Sequence, residues 1–235
     1  MIINKDFFKI EKKFWEIIKT ICIFVVFISS SYIQLFFFRL FHLTKADLTP
    51  TMEIILSTLA SIVLAIIFFL AYRKELKKEF IIYKKKLLEN FDISVKWWLI
   101  GMFIMISSTI IINFVFHGTG ANNEKAVQSM ISTAPWLMII NAGILAPFNE
   151  EIVFRKSLRN IISNKWVFAF MSFLLFGGAH VIFSSTSFVD YLYIIPYGAL
   201  GFTFALAYSE TKTIFSTITI HMLHNTILML FAILI

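Results

Sequence analysis

The chain has 235 residues, of which 59% are hydrophobic and 15% charged, with a formal net charge of +7. A soluble domain carries about 25% charged residues, so the composition excludes an ordinary water-soluble globular protein. The basic excess forms no recognisable nucleic-acid module or folded basic face, which excludes nucleic acid as a partner.

About 20 apolar residues cross the hydrocarbon core of a bilayer. Seven runs of roughly that length follow one another at 17–41, 53–72, 97–116, 134–154, 166–184, 191–208 and 213–235. Lipid offers no partner to a backbone polar group, so each run predicts a helix, and the short alternating strands of a membrane barrel are absent. The expected fold is all-α: a polytopic transmembrane helical bundle of about seven to eight spans, built as one integral membrane domain over 1–235. The basic stretch "KDFFKIEKKFWEIIK" leads into a first run too long for a signal-peptide core and without an A-x-A site, so that run reads as an anchor. It also holds the single cysteine, Cys22, which rules out an intramolecular disulfide.

Sidedness follows from Lys and Arg. Eighteen of the twenty-one lie in the N-terminal flank, in 73–96, in 155–165 and at Lys212, whereas the alternate loops hold Arg39, Lys45 and Lys125. The positive-inside rule then places the N-terminus in the cytoplasm and the C-terminus outside. The segment "RKELKKEFIIYKKKLLENF" (73–91) mixes basic residues with Phe80, Ile81, Ile82, Leu87 and Leu88, and predicts an amphipathic helix at the cytoplasmic interface. The stretch 117–132 is the one long polar segment on the outer side. A composition rich in Lys, Ile and Phe and poor in Arg points to an A+T-rich bacterial genome and a multi-pass protein of the cytoplasmic membrane.

Chemistry must then come from polar residues inside the runs. Ionisable groups at membrane depth cost ~2.5–3.5 kcal/mol each on insertion scales and mark functional sites by default. Glu150 and Glu151 end the apolar run "PWLMIINAGILAPF", and His180, His221 and His224 lie within the fifth and seventh runs. Helical spacing puts Glu151 and Arg155 on one face as an ion pair. Glu150 is turned about 100° away and is left for chemistry. In "FGGAH" Phe176 and His180 share a face, as do His221 and Asn225 in "HMLHN", while His224 points elsewhere. If the fourth helix continues past Arg155 and turns near Ser163–Asn164, Glu150 and His180 come level across an antiparallel hairpin. If it ends at Phe154, they do not.

A glutamate beside two histidines suits activation of water for amide hydrolysis, with an imidazole and an amide stabilising the oxyanion. The same residues could hold a divalent metal such as zinc through Glu150, His180 and His221, since two His and one Glu form a zinc ligand set. No H-E-x-x-H and no G-x-S-x-G occurs, and Asp190 is the one aspartate bordering a run, so other intramembrane protease designs are excluded.

"EEIVFR", "FGGAH" and "HMLHN" match E-E-x-x-x-R, F-x-x-x-H and H-x-x-x-N in order over 134–235. In this the chain resembles the CAAX protease and bacteriocin-processing (CPBP, or Abi) family of intramembrane endopeptidases. The resemblance implies Glu150 as general base assisted by His180, His221 and Asn225 as the oxyanion site, and Glu151 with Arg155 shaping the site. It leaves the metal open. It also implies a membrane-associated peptide or protein as substrate, in peptide maturation or bacteriocin self-immunity. Two other readings use the same residues: a non-catalytic immunity or binding protein on this fold, and a proton-coupled transporter.

Overall fold

Capping residues set the helix ends. Thr49 Oγ1 accepts the Met52 N–H at 3.2 Å ahead of Pro50, whose missing N–H would have no helical partner in the first turn anyway. Asn164 Oδ1 accepts from the Trp166 and Val167 N–H groups at 2.9 and 3.2 Å. The Arg159 guanidinium closes the preceding helix by donating to the Ile162 and Ser163 carbonyls at 2.6 and 2.7 Å. The computed structural model describes residues 5–118 and 120–234, and only the backbone of 5–10 and 12.

The elements in order are α1 (Lys5–Ile28), α2 (Ser30–Leu40), α3 (Pro50–Lys85), α4 (Leu87–Val115), α5 (Asn122–Thr133), α6 (Pro135–Ile161), α7 (Lys165–Val181), α8 (Phe188–Leu192), α9 (Ile194–Thr211) and α10 (Ile214–Leu234). No strand occurs among the described residues. The chain is an all-α polytopic membrane bundle, and each of the seven expected runs falls on a helix. Five helices are long and apolar enough to cross a bilayer, or six if α1 and α2, which meet at a 51° bend, make one broken span. The remaining run is α7, whose 17 residues fall short of the ~20 that a full crossing takes. The N-terminus itself lies outside the described residues, and sidedness rests on charge.

One expectation changes. Residues 73–91 do not form a separate interfacial helix: α3 runs on to Lys85, the chain breaks at Lys86, and α4 begins at Leu87. At ~1.5 Å per residue α3 is about 54 Å long, well beyond the ~30 Å hydrocarbon core, so 73–91 is the turn of a helical hairpin, packed through Glu79 against α6, α9 and α10. The outer stretch 117–132 is largely helical, as α5.

Helix α9 is the centre of the bundle and packs chiefly on α7 and α4, while α10 packs on α6. Small residues allow the approach of α7 to α9, as in membrane helix pairs generally. A Cβ at Gly177 would lie 2.6 Å from the Ile194 carbonyl oxygen, and one at Gly201 2.8 Å from the Ser172 carbonyl oxygen. At Gly178 it would first meet the flexible end of Ile182 at 3.1 Å.

The helix carrying the glutamates is not uniform. Two π-helical segments, Ile139–Leu145 and Ile152–Ser157, flank the α-helical turn Ala146–Glu151. Pro147 explains the first: it has no N–H to give Gly143, and its ring crowds that carbonyl, so the turn before it widens. Carbonyls of the widened turns are taken up from outside. Asn225 Nδ2 donates to Ala142 O at 2.8 Å, Ser172 Oγ to Phe154 O at 3.1 Å, and Thr20 Oγ1 to Ser157 O at 3.2 Å. Three helices, α1, α7 and α10, thus fix the register of α6.

Gly177→Ala is expected to lower stability by ~1–3 kcal/mol through overpacking against backbone. Gly178→Ala should cost less than half of whatever Gly177→Ala costs, as read by thermal unfolding in detergent.

Candidate active site

The turn between the π segments presents both carboxylates to the bundle. Glu151 and Arg155 are each 0% exposed, and Arg155 Nη1 lies 3.1 Å from Glu151 Oε1. The approach has the distance of an ion pair without the alignment of a hydrogen bond. Glu151 Oε2 and Arg155 Nε and Nη1 have no hydrogen-bond partner among the described residues. The guanidinium is instead covered by rings, its carbon 4.3 Å from the centroid of Phe176 and 5.5 Å from that of Phe204, and Nη2 reaches Leu200 O at 3.5 Å.

Glu151 has a second partner that helical periodicity did not show. His221 Nδ1 lies 2.8 Å from Glu151 Oε1. An ionised carboxylate only accepts, so Nδ1 carries a proton and Nε2 is the ring atom turned toward Glu150. That Nε2 lies 3.7 Å from Glu150 Oε2. His180 arrives from α7 in the same state. Its Nδ1 donates to Phe176 O at 2.8 Å, and its Nε2 lies 3.9 Å from Glu150 Oε1. Tyr197 stacks on the His180 ring at 4.8 Å between centroids, and Phe176 lies against it at 4.4 Å.

Helix α6 continues past Arg155 to Ile161 and turns ahead of Asn164, which is the condition that brings Glu150 level with His180. The structure therefore gathers Glu150, Glu151, Arg155, His180 and His221 into one cluster. Asn225 sits one turn beyond His221 with its amide on Ala142 O. His224 is turned away, accepting the Trp98 indole N–H on Nδ1 at 3.2 Å. Tyr197 and Phe204 were not legible from spacing, because they reach the site from α9, which carries no motif.

The two imidazoles face the two oxygens of Glu150, one each. The gaps of 3.7 and 3.9 Å are too long for direct hydrogen bonds and suit a bridging water. A zinc ion with bonds of ~2.0–2.1 Å needs tetrahedral ligand atoms about 3.3 Å apart. Among the described residues no group of three His, Cys, Asp or Glu side chains is arranged to hold a metal ion. As placed, Glu150, His180 and His221 do not form a coordination shell.

Fold and site together define a multi-pass membrane protein with a carboxylate–histidine centre inside its bundle. Residues 132–227 match the family described as type II CAAX prenyl endopeptidase Rce1-like. That segment holds all three motifs, and over it the chain is similar to that family. The chain is 34% identical over 146 residues to YdiL of Bacillus subtilis, provisionally named a membrane peptidase, with 59% of this chain and 56% of that protein aligned. It is 30% identical over 155 residues to the membrane-embedded CAAX protease MroQ of Staphylococcus aureus, covering 60% and 59%. It is 27% identical over 172 residues to the UPF0177 protein YxdF of Lactococcus lactis, covering 68% and 86%. The alignments thus span little more than half the length of the first two. No solved structure matches. These relatives are bacterial, and the chain is a multi-pass bacterial membrane protein.

Arg155→Met would leave Glu151 ionised, buried and beside Glu150. Removing one partner of a buried ion pair costs ~3–5 kcal/mol, so this variant should show a markedly reduced folded fraction on detergent gel filtration.

Proposed function

We propose that the protein is an intramembrane endopeptidase that hydrolyses a peptide bond in a membrane-associated peptide or protein. The observation that carries this reading is the convergence of the His180 and His221 Nε2 atoms on the two oxygens of Glu150.

The chain's own groups account for the steps. A water bridging Glu150 and His180 gives up a proton to Glu150 as its oxygen attacks the scissile carbonyl. With Glu150 and Glu151 ionised, Arg155 charged and both histidines neutral, the cluster sums to −1. One proton more makes it neutral. Carried on His221 Nε2, that proton faces the developing oxyanion, while Glu151 holds the opposite side of the imidazolium and fixes the ring. Asn225 contributes from the next turn: its amide has two hydrogens, and Ala142 O takes one. Collapse of the tetrahedral intermediate transfers the proton from Glu150 to the leaving amine. Phe176, Phe204 and Tyr197 exclude bulk water, which strengthens each of these interactions.

The substrate class agrees with the burial of the site in the bundle and with the name of MroQ. Peptide maturation and bacteriocin self-immunity are the settings that the resemblance implies. A divalent metal on Glu150, His180 and His221 would supply Lewis-acid polarisation of the bound water, but it would need those side chains to draw closer than they lie.

Glu150→Gln and His180→Ala should each lower cleavage by ~10²–10⁴-fold at unchanged protein level, read by mass spectrometry of membrane peptides from cells carrying each form. Full processing in both variants would overturn the hydrolase reading. Proton-coupled flux in proteoliposomes without any cleaved bond would replace it with transport. Cleavage by purified protein is expected to survive removal of divalent metal by a chelator, and loss of activity restored by zinc would assign the site to a metal.

A further inference from the structure

The half of the chain before residue 132 carries no motif, yet it supplies one acid to the motif-bearing helices. Glu79 lies on α3, six residues before its end, and is 9% exposed. Its carboxylate meets three other elements. Oε1 pairs with Lys156 Nζ, in the second π segment of α6, and accepts from Tyr208 OH of α9 at 3.1 Å. Oε2 accepts the Ile214 N–H at 2.7 Å, at the first residue of α10. The Glu79 backbone carbonyl accepts from Thr213 Oγ1 at 3.0 Å. Lys156 Nζ also reaches Tyr208 OH at 3.5 Å.

The place of these contacts matters more than their number. Lys156 follows Arg155 directly. Ile214 begins the helix that carries His221 two turns further on. Between α9 and α10 the chain reverses at Lys212, which takes φ +58°, a conformation that residues with a side chain seldom adopt and that surrounding contacts must hold. Glu79 grips the chain directly after that reversal, through Thr213 and Ile214. Its negative charge also sits at the N-terminus of α10, where the first N–H groups lack helical partners and the helix dipole favours an anion. One carboxylate therefore ties the start of the His221 helix to the helix of Glu150 and Glu151.

We propose that Glu79 is a positioning residue: it sets the height and rotation of α10, and hence the distance from His221 to Glu151 and Glu150. The activity arm of its test rests on the hydrolase reading above; the spectroscopic arm does not.

The decisive variants alter the carboxylate without leaving Lys156 as an uncompensated buried charge. Glu79→Met/Lys156→Met removes both charges and the acceptor for the Ile214 N–H. Glu79→Gln/Lys156→Met removes the charges and keeps an acceptor. In protein with ¹⁵N-labelled histidine, the hydrogen-bonded Nδ1–H of His221 gives a low-field proton signal that reports its contact with Glu151. The Met/Met variant is expected to reach the membrane, to shift or lose that signal, and to lose at least 10-fold in kcat with KM within 2-fold. The Gln/Met variant should return most of the signal and at least a third of the turnover. A Met/Met variant with wild-type signal overturns the proposal. So does a Gln/Met variant as impaired as Met/Met. If Met/Met does not accumulate, Gln/Met decides alone: a wild-type His221 signal supports positioning through the acceptor, and a lost signal overturns it. If the native protein cleaves nothing while Met/Met still shifts the signal, the hydrolase reading fails and the positioning stands.

Discussion

The contact on which the rest of the structure depends is the buried pair of Glu151 and Arg155. An isolated charge in an apolar interior is prohibitively costly, and even a pair is repaid only when its remaining polar atoms find partners. Here the compensation is distributed and partial: Glu151 Oε2 and Arg155 Nε and Nη1 have no hydrogen-bond partner among the described residues. His221 takes one carboxylate oxygen, Leu200 O takes one guanidinium nitrogen, and the faces of Phe176 and Phe204 cover the cation. Those four residues come from α7, α9 and α10. Burying this one pair therefore obliges three further helices to assemble around α6.

The same arrangement separates two adjacent carboxylates chemically. Glu151 is enclosed, neutralised and hydrogen-bonded. Glu150 is 14% exposed and faces imidazole nitrogens at distances that no direct hydrogen bond spans. A uniform α-helix would separate the two by about 100°. The π segments on either side allow that turn to be set independently of the rest of α6, and the widened carbonyls are anchored by Asn225, Ser172 and Thr20. π turns are uncommon and concentrate at functional sites because each needs such outside support.

What the sequence made legible follows the range of the interactions involved. Contacts within a helix were readable: Glu151 with Arg155, Phe176 with His180, and the apolar runs that became spans. The levelling of Glu150 with His180 was readable as a condition, resolved once α6 proved to continue to Ile161. Contacts between helices were not, since hydropathy gives neither rotation nor tilt. Nothing local tells that His221 meets Glu151 as well as Glu150, or that Tyr197 stacks on His180. The turn at 73–91 was misassigned for a related reason. Basic and apolar residues mixed along a helix describe an interfacial helix and a helical hairpin equally well, and the break falls at one residue, Lys86, that carries no Gly or Pro signal.

The segment matched to the Rce1-like family starts at residue 132, but it is not self-sufficient in physical terms. Asn141 exchanges hydrogen bonds with Ser57 and Ser61 of α3, Asn149 donates to the Ser61 carbonyl, Lys156 needs Glu79, and the second π segment needs Thr20 of α1. Helix α4 adds Trp98 for His224. Stripped of α1 to α4, these polar groups would face hydrocarbon, where each unsatisfied one costs several kcal/mol. The motif-less half thus serves less as a set of extra anchors than as the source of donors and acceptors that lets a polar, ionised helix remain inside the membrane. Its contribution is a few scattered side chains that reach α6 and α10, with no fixed spacing along the chain, which explains why a reading based on motifs stops where the chemistry's support begins.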